Sequence, residues 1–141
     1  MATFNKFNQF VQDLANGKHN LGSNSLNVML TNTAPVATNQ VLTDLTEITA
    51  GNGYTAGGTT AAFVSGSQTS GTYKLVLSNV TFTASGGSIG PFRYVVLYNA
   101  TQTSPNHPLI GWADYGAATT LTSGNSFLVS FDQTNGVFTV A

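Results

Sequence analysis

Asp114 stands close to Trp112 and Tyr115 in the sequence, and a carboxylate beside aromatic rings is the combination sugar-binding sites use. There a ring stacks on the apolar face of a sugar while the acid accepts its hydroxyls. Trp112, Asp114 and Tyr115 are therefore a candidate ligand platform, set against the plainer reading of a strand end with an outward aspartate. Asp44 and Glu47 form a second carboxylate pair three residues apart, but no cation or histidine lies near them in sequence to separate their proton affinities. A solvated turn accounts for them better. His19 and His107 are the 2 histidines of the chain, too few for a metal site by themselves, and both read as surface residues. They also leave a hydrolase triad short of bases, so the serines are not read as nucleophiles. The stretch 51–58, with Gly51, Gly53, Gly57 and Gly58, has the look of a phosphate cradle. It lacks the Lys-Ser/Thr ending and a following amphipathic helix, so a mobile loop is the better account. No catalytic, cofactor-binding or metal-ligating residue is expected, and an enzyme is not.

Charge-based chemistry also lacks raw material. Lys and Arg number 4 and Asp and Glu 5, together 6% of 141 residues, where an ordinary soluble chain has roughly a quarter. The polar cover is instead neutral, with 21 Thr, 14 Asn, 12 Ser and 6 Gln that bond in any direction and set up little long-range field. Such a surface suits permanent packing against other subunits, because neutral contacts avoid the desolvation cost of buried ions. With a net charge of −1 there is no basic patch for phosphates, so nucleic acid is not an expected partner. The longest apolar run, 94–98, falls far short of the ~20 residues that cross a bilayer, so neither is a membrane. Absent cysteine excludes disulfides, thiolate nucleophiles and the usual structural zinc sites. Residues 1–6 have neither the basic start nor the apolar stretch of a secretion signal, so action where the chain is made, or within an assembly, is expected.

The elements that must position these residues follow from periodicity. Phe4, Phe7, Phe10, Val11 and Leu14 recur at three- and four-residue steps and predict a helix, capped by Thr3 and stopped at Asn16-Gly17. Its apolar stripe either lies on its own domain or docks on a neighbour, which makes these five residues interface candidates. Alternation at Leu26, Val28 and Leu30 predicts a strand. Residues 32–58 read as irregular, a surface loop that orders on assembly. Further strands are expected over 61–65, 72–78, 80–83, 92–98, 109–115, 118–121, 126–132 and 137–140, with Asn135-Gly136 as a hairpin turn between the last two. In 92–98, Phe92, Tyr94, Val96 and Tyr98 face one way and Arg93, Val95 and Leu97 the other. Both faces are apolar, so this is a central strand covered on both sides. Val96 is assigned to the core, and Val95 and Leu97 to a second layer made by the helix, a loop or a partner subunit. Short strands without alternating helices predict an all-β fold, an antiparallel β-sandwich with a short N-terminal α-helix. A jelly roll is the leading topology and an immunoglobulin-like sandwich the second. The expected division is a helical arm over 1–17 and a sandwich domain over 18–141.

The order of elements resembles a known group. A short apolar helix is followed by Leu26-Asn27-Val28-Met29-Leu30-Thr31-Asn32-Thr33-Ala34-Pro35 and by Glu47-Ile48-Thr49-Ala50-Gly51-Asn52-Gly53-Tyr54. The chain closes with Phe92-Arg93-Tyr94-Val95-Val96-Leu97-Tyr98, Leu109-Ile110-Gly111-Trp112-Ala113-Asp114 and Gly124-Asn125-Ser126-Phe127. From about Lys6 to Val140 this is similar to the jelly-roll cement or decoration proteins on the capsid exterior of tailed bacteriophages. The resemblance rests on texture and order, and it carries no binding motif to transfer. It implies a virion structural protein, made in the host cytoplasm, that bridges neighbouring subunits of the major capsid protein and self-associates as a dimer or trimer. Similar short β proteins occur in phage tails and fibres, which keeps a carbohydrate-recognising tail module as the alternative.

Overall fold

Residues 3–141 are described by a computed structural model, and among them β-forming sequence has become antiparallel sheet with one short helix. The elements are β1 (Phe4–Lys6), α1 (Asn8–Ala15), β2 (Leu26–Thr31), β3 (Thr59–Ala61), β4 (Phe63–Thr69) and β5 (Thr72–Leu77), then β6 (Val80–Thr83), β7 (Ile89–Asn99), β8 (Leu109–Leu121), β9 (Ser126–Val129) and β10 (Phe138–Val140). Five strands form one sheet in the order β1-β8-β7-β2-β3, facing a three-stranded sheet, β10-β5-β4, and a two-stranded one, β6-β9. Leu26, Val28, Leu30, Val95, Leu97 and Ile110 of the large sheet meet Leu75, Leu77, Val80, Phe82 and Val129 of the small ones in one buried core. The arrangement is sandwich-like. No helix among the described residues is long and apolar enough to cross a membrane.

The N-terminal segment departs from the helix predicted over 4–14. Phe4, Asn5 and Lys6 run extended and pair with Ala113, Trp112 and Gly111. Gly111 permits this, since any side chain there would collide with the Phe4 ring. A backbone ladder satisfies every second peptide group of the segment, and that outweighs the weak helix propensity of phenylalanine and asparagine. The helix starts only at Asn8, after Phe7 in extended conformation and without a side-chain cap, so Thr3 does not cap it. It ends as expected. Gly17 takes a φ of +73°, its N–H reaches the Leu14 carbonyl at 3.2 Å, and the Lys18 N–H reaches that of Asp13 at 2.8 Å. Residues 3–17 are thus stitched into the sandwich and form no separate arm; residues 1 and 2 of the expected arm lie outside the described residues.

β7 is buried on both faces by the chain itself, with the faces exchanged relative to expectation. Register irregularities between Phe92 and Tyr94 shift the alternation, which moves Phe92 onto the side of Val95 and Leu97. These three point into the sandwich core, while Val96 and Tyr98 point into a second cluster with Phe7, Met29, Leu45 and Leu109. That second layer is closed by Leu42, in a 3-10 turn over Leu42–Asp44, together with Leu45 and Phe7.

The segment 32–58 is accordingly a cover and not a free loop. β3 pairs with β2 only over Val28 and the residues before it, leaving the next part of that edge open. The loop fills it: the Leu30 N–H donates to the Tyr54 hydroxyl at 3.1 Å, and the Leu30 carbonyl accepts from the Ile48 N–H at 3.2 Å. Glu47 locks the segment, its Oε1 accepting from the Tyr54 hydroxyl and from the Gly57 N–H, both at 2.6 Å. Gly58 crosses Val28 so closely, at a φ of +77°, that a Cβ would fall on the Val28 carbonyl oxygen.

Asn135-Gly136 is not a hairpin, because β9 pairs with β6 and β10 with β5. The chain changes sheets there, around an Asp132 carboxylate that accepts N–H bonds from Thr134 and Asn135, each at 2.8 Å. The tight two-residue turn lies at Ser70-Gly71, with φ of 52° and 83°, joining β4 to β5.

Candidate functional site

The expected ligand platform is divided by the sheet. Trp112 and Asp114 share the outer face of β8, whereas Tyr115 packs against the core with its ring 5.1 Å from that of Phe127. Trp112 is half-buried against Phe7, the ring centroids 4.5 Å apart. Asp114 is engaged by a residue the sequence reading assigned no role: Arg93 donates from Nε at 2.7 Å and from an Nη at 2.9 Å, a two-pronged grip. Those bonds, and a third from the Gly116 N–H, hold the Asp114 carboxyl below its ordinary range. The Arg93 guanidinium also lies 5.3 Å from the centre of the Tyr94 ring. Tyr94 is the register partner of Asp114, so Tyr94, Asp114 and Trp112 line one outer strip with the guanidinium above it. Water screens this pair, both members being more than a third exposed, and its effect is to orient side chains more than to stabilise the fold.

Asp44 and Glu47 do not converge. The Asp44 carboxylate accepts the N–H groups of Gln40 and Val41 at 2.7 and 3.1 Å, capping its own turn, while Glu47 turns to Tyr54. Burial, then the Glu47 hydrogen bond, push the Tyr54 hydroxyl well above its ordinary value.

His19 is buried, contrary to the surface position expected of it. The connection after α1 folds back beneath the helix, setting the imidazole 5.1 Å from the Phe10 ring. The Asn99 amide nitrogen, itself buried, lies 3.2 Å from Nδ1. Nε2 of His19 and Oδ2 of buried Asp13 have no hydrogen-bond partner within the described residues. Burial lowers the His19 pKa, opposed in part by the Asp13 carboxylate. No group of three His, Asp or Glu side chains among the described residues is placed to hold a metal.

Of the residues expected at an interface, Phe7, Phe10, Val95 and Leu97 are enclosed by the chain's own core, and Phe4 and Leu14 are packed against it. Val11 alone stays open, 52% exposed on the outer side of α1. Among the described residues the other large exposed apolar side chains are Val36, Phe63, Val64 and Leu128. Phe63 and Val64 begin β4, which is exposed along nearly its whole length and has β5 as its one neighbour. Phe63 and Gly66 also border an open groove of about 650 Å³ lined by Leu14, His19, Leu21, Tyr73 and Val140.

Gly86-Gly87-Ser88-Ile89-Gly90 matches the Gly-x-Ser-x-Gly string, a match that sequence reading passes over. It runs directly into β7, so the strand-to-helix turn that exposes a nucleophilic serine is not built. No protein-family model matches the chain, and neither a curated protein nor a solved structure is similar enough to assign a relative.

Proposed function

We propose that the chain is a virion structural protein, a capsid cement or decoration subunit that sits on the outside of a phage head and bridges major capsid subunits. The supporting observation is an outer surface of neutral hydrogen-bonding groups carrying large, uncovered apolar side chains at Val11, Val36, Phe63, Val64 and Leu128. Adhesion of this kind is built from buried apolar area, at roughly 25 cal/mol per Å², and from uncharged hydrogen bonds. Many copies on one shell multiply a modest contact. The jelly-roll reading has support in the nested long-range pairings, β1 with β8 outside β2 with β7, and β5 with β10 outside β6 with β9. Co-sedimentation with empty phage heads from the chain's own source tests the proposal. Saturable co-pelleting is the expected result, and protein left wholly in the supernatant contradicts it.

A second reading, a tail module binding carbohydrate, is favoured by the strip of Tyr94, Asp114 and Trp112 on one face. A glycan array separates the two, since a cement subunit leaves it blank.

A further inference from the structure

Edge strands expose a row of unpaired N–H and C=O groups, and soluble proteins usually blunt them with charge, proline or a covering loop. β4 has none of these; a register irregularity between Phe63 and Ser65 bends only its start and leaves residues 65–69 regular. From Ile48 to Tyr73 the sequence holds no charged residue and no proline. The nearest charge, Lys74, is tied to the Thr134 carbonyl at 2.8 Å. Six of the seven β4 residues are exposed, including Phe63 at 45% and Val64 at 53%. The turn fixes which groups face outward. Thr69 and Thr72 flank a two-residue turn and exchange both their hydrogen bonds, so alternation directs the N–H and C=O of Gln68 and Gly66 to the free edge.

We propose that β4 pairs antiparallel with β4 of a second copy of this chain, joining two three-stranded sheets into one of six. The occupant is a second copy because the edge is complementary to itself. A strand without charge meets its own image without like-charge repulsion, and an antiparallel pair closes on a two-fold axis. Centred on Gly66, the joint sets Ser65 against Ser67, and these short residues let the backbones approach while Phe63 and Val64 of each copy lie toward its ends. This goes beyond the shell-binding proposal, and it is tested on isolated protein, so either can fail alone.

Sedimentation velocity over about 1 to 100 µM reads the association directly. The wild-type chain is expected to dimerise. Gln68→Pro, which removes an outward N–H, and the double change Ser65→Lys with Ser67→Lys, which sets lysines of the two copies directly opposite one another, are expected to weaken the dimer by on the order of tenfold or more with β-sheet circular dichroism retained. Hydrogen exchange at the Gly66 and Gln68 amides, slowing as wild-type concentration rises, gives a readout that does not depend on either variant folding. A monomer across the range, a dimer that both variants leave intact, or Gly66 and Gln68 amides protected only when another protein is added, each overturns the proposal.

Discussion

Val95 and Val96 are adjacent, and each fills a different apolar layer of the same chain. Val95, 5% exposed, packs with Leu97 and Ile110 in the sandwich core; Val96, 0% exposed, packs with Phe7, Met29 and Leu45 under the segment 32–58. Valine to alanine removes two carbons, about 1.6 kcal/mol of transfer free energy at about 0.8 per group, and the residual cavity brings the loss to about 2–3 kcal/mol. Against a total stability of about 5–15 kcal/mol this is readily measured. In urea, with a slope of about 2 kcal/mol per M, each midpoint should fall by about 1–1.5 M, for Val95→Ala and for Val96→Ala alike. Equilibrium unfolding of dilute protein, followed by far-UV circular dichroism, is the assay. A Val96→Ala variant within about 0.5 kcal/mol of wild type would show that the second layer is not closed by this chain, and the assignment of Phe7 and Leu45 as its cover would fail.

Gly58→Ala should unfold the chain or lower its midpoint severely, because its φ of +77° strains any L side chain and the new Cβ meets the Val28 carbonyl; an unchanged melting temperature would refute that crossing. His19 gives a pH signature. Burial lowers its pKa below the ordinary 6.5, so the unfolded chain takes up the proton first. Its contribution is fully present above pH 6.5 and lost as pH falls through the folded value. Melting temperatures should therefore decline from pH 6.5 downward in wild type, and His19→Gln should remove that first decline. Asp114 and Asp132, both held below 3.8, act in a separate, more acidic window: their contribution is present above 3.8 and lost as pH falls through their depressed values. A His19→Gln profile with the wild-type slope near pH 6 contradicts the burial of the imidazole.

Strand periodicity was readable where one register held, as in Leu26, Val28 and Leu30, and so was the glycine stop of α1. Long-range pairing was not. Phe4, Phe7 and Phe10 fit a helical stripe equally well whether or not Gly111 offers a ladder to Phe4, and only the fold brings those residues together. The exchange of faces on β7 comes from an irregularity in its pairing with β8, which leaves no mark on the alternation of either strand alone. Arg93 and Asp114 are 21 residues apart and meet because of that same pairing. His19 read as exposed because its burial depends on Asn99, 80 residues distant. The Ser70-Gly71 turn lies inside a glycine- and serine-rich stretch that reads equally well as a longer loop from Gly66 to Gly71, so the sequence does not mark the free edge of β4.

The central claim is adhesion without charge, and its most direct test is occupancy of the protein on empty phage heads from about 0.05 to 1 M NaCl, over which the Debye length falls several-fold. An interface of neutral hydrogen bonds and apolar contacts predicts an occupancy nearly flat across that range. A steep loss with salt would contradict the account and place attachment instead on the few charges the chain has, Lys18, Lys74 and Arg93 among them.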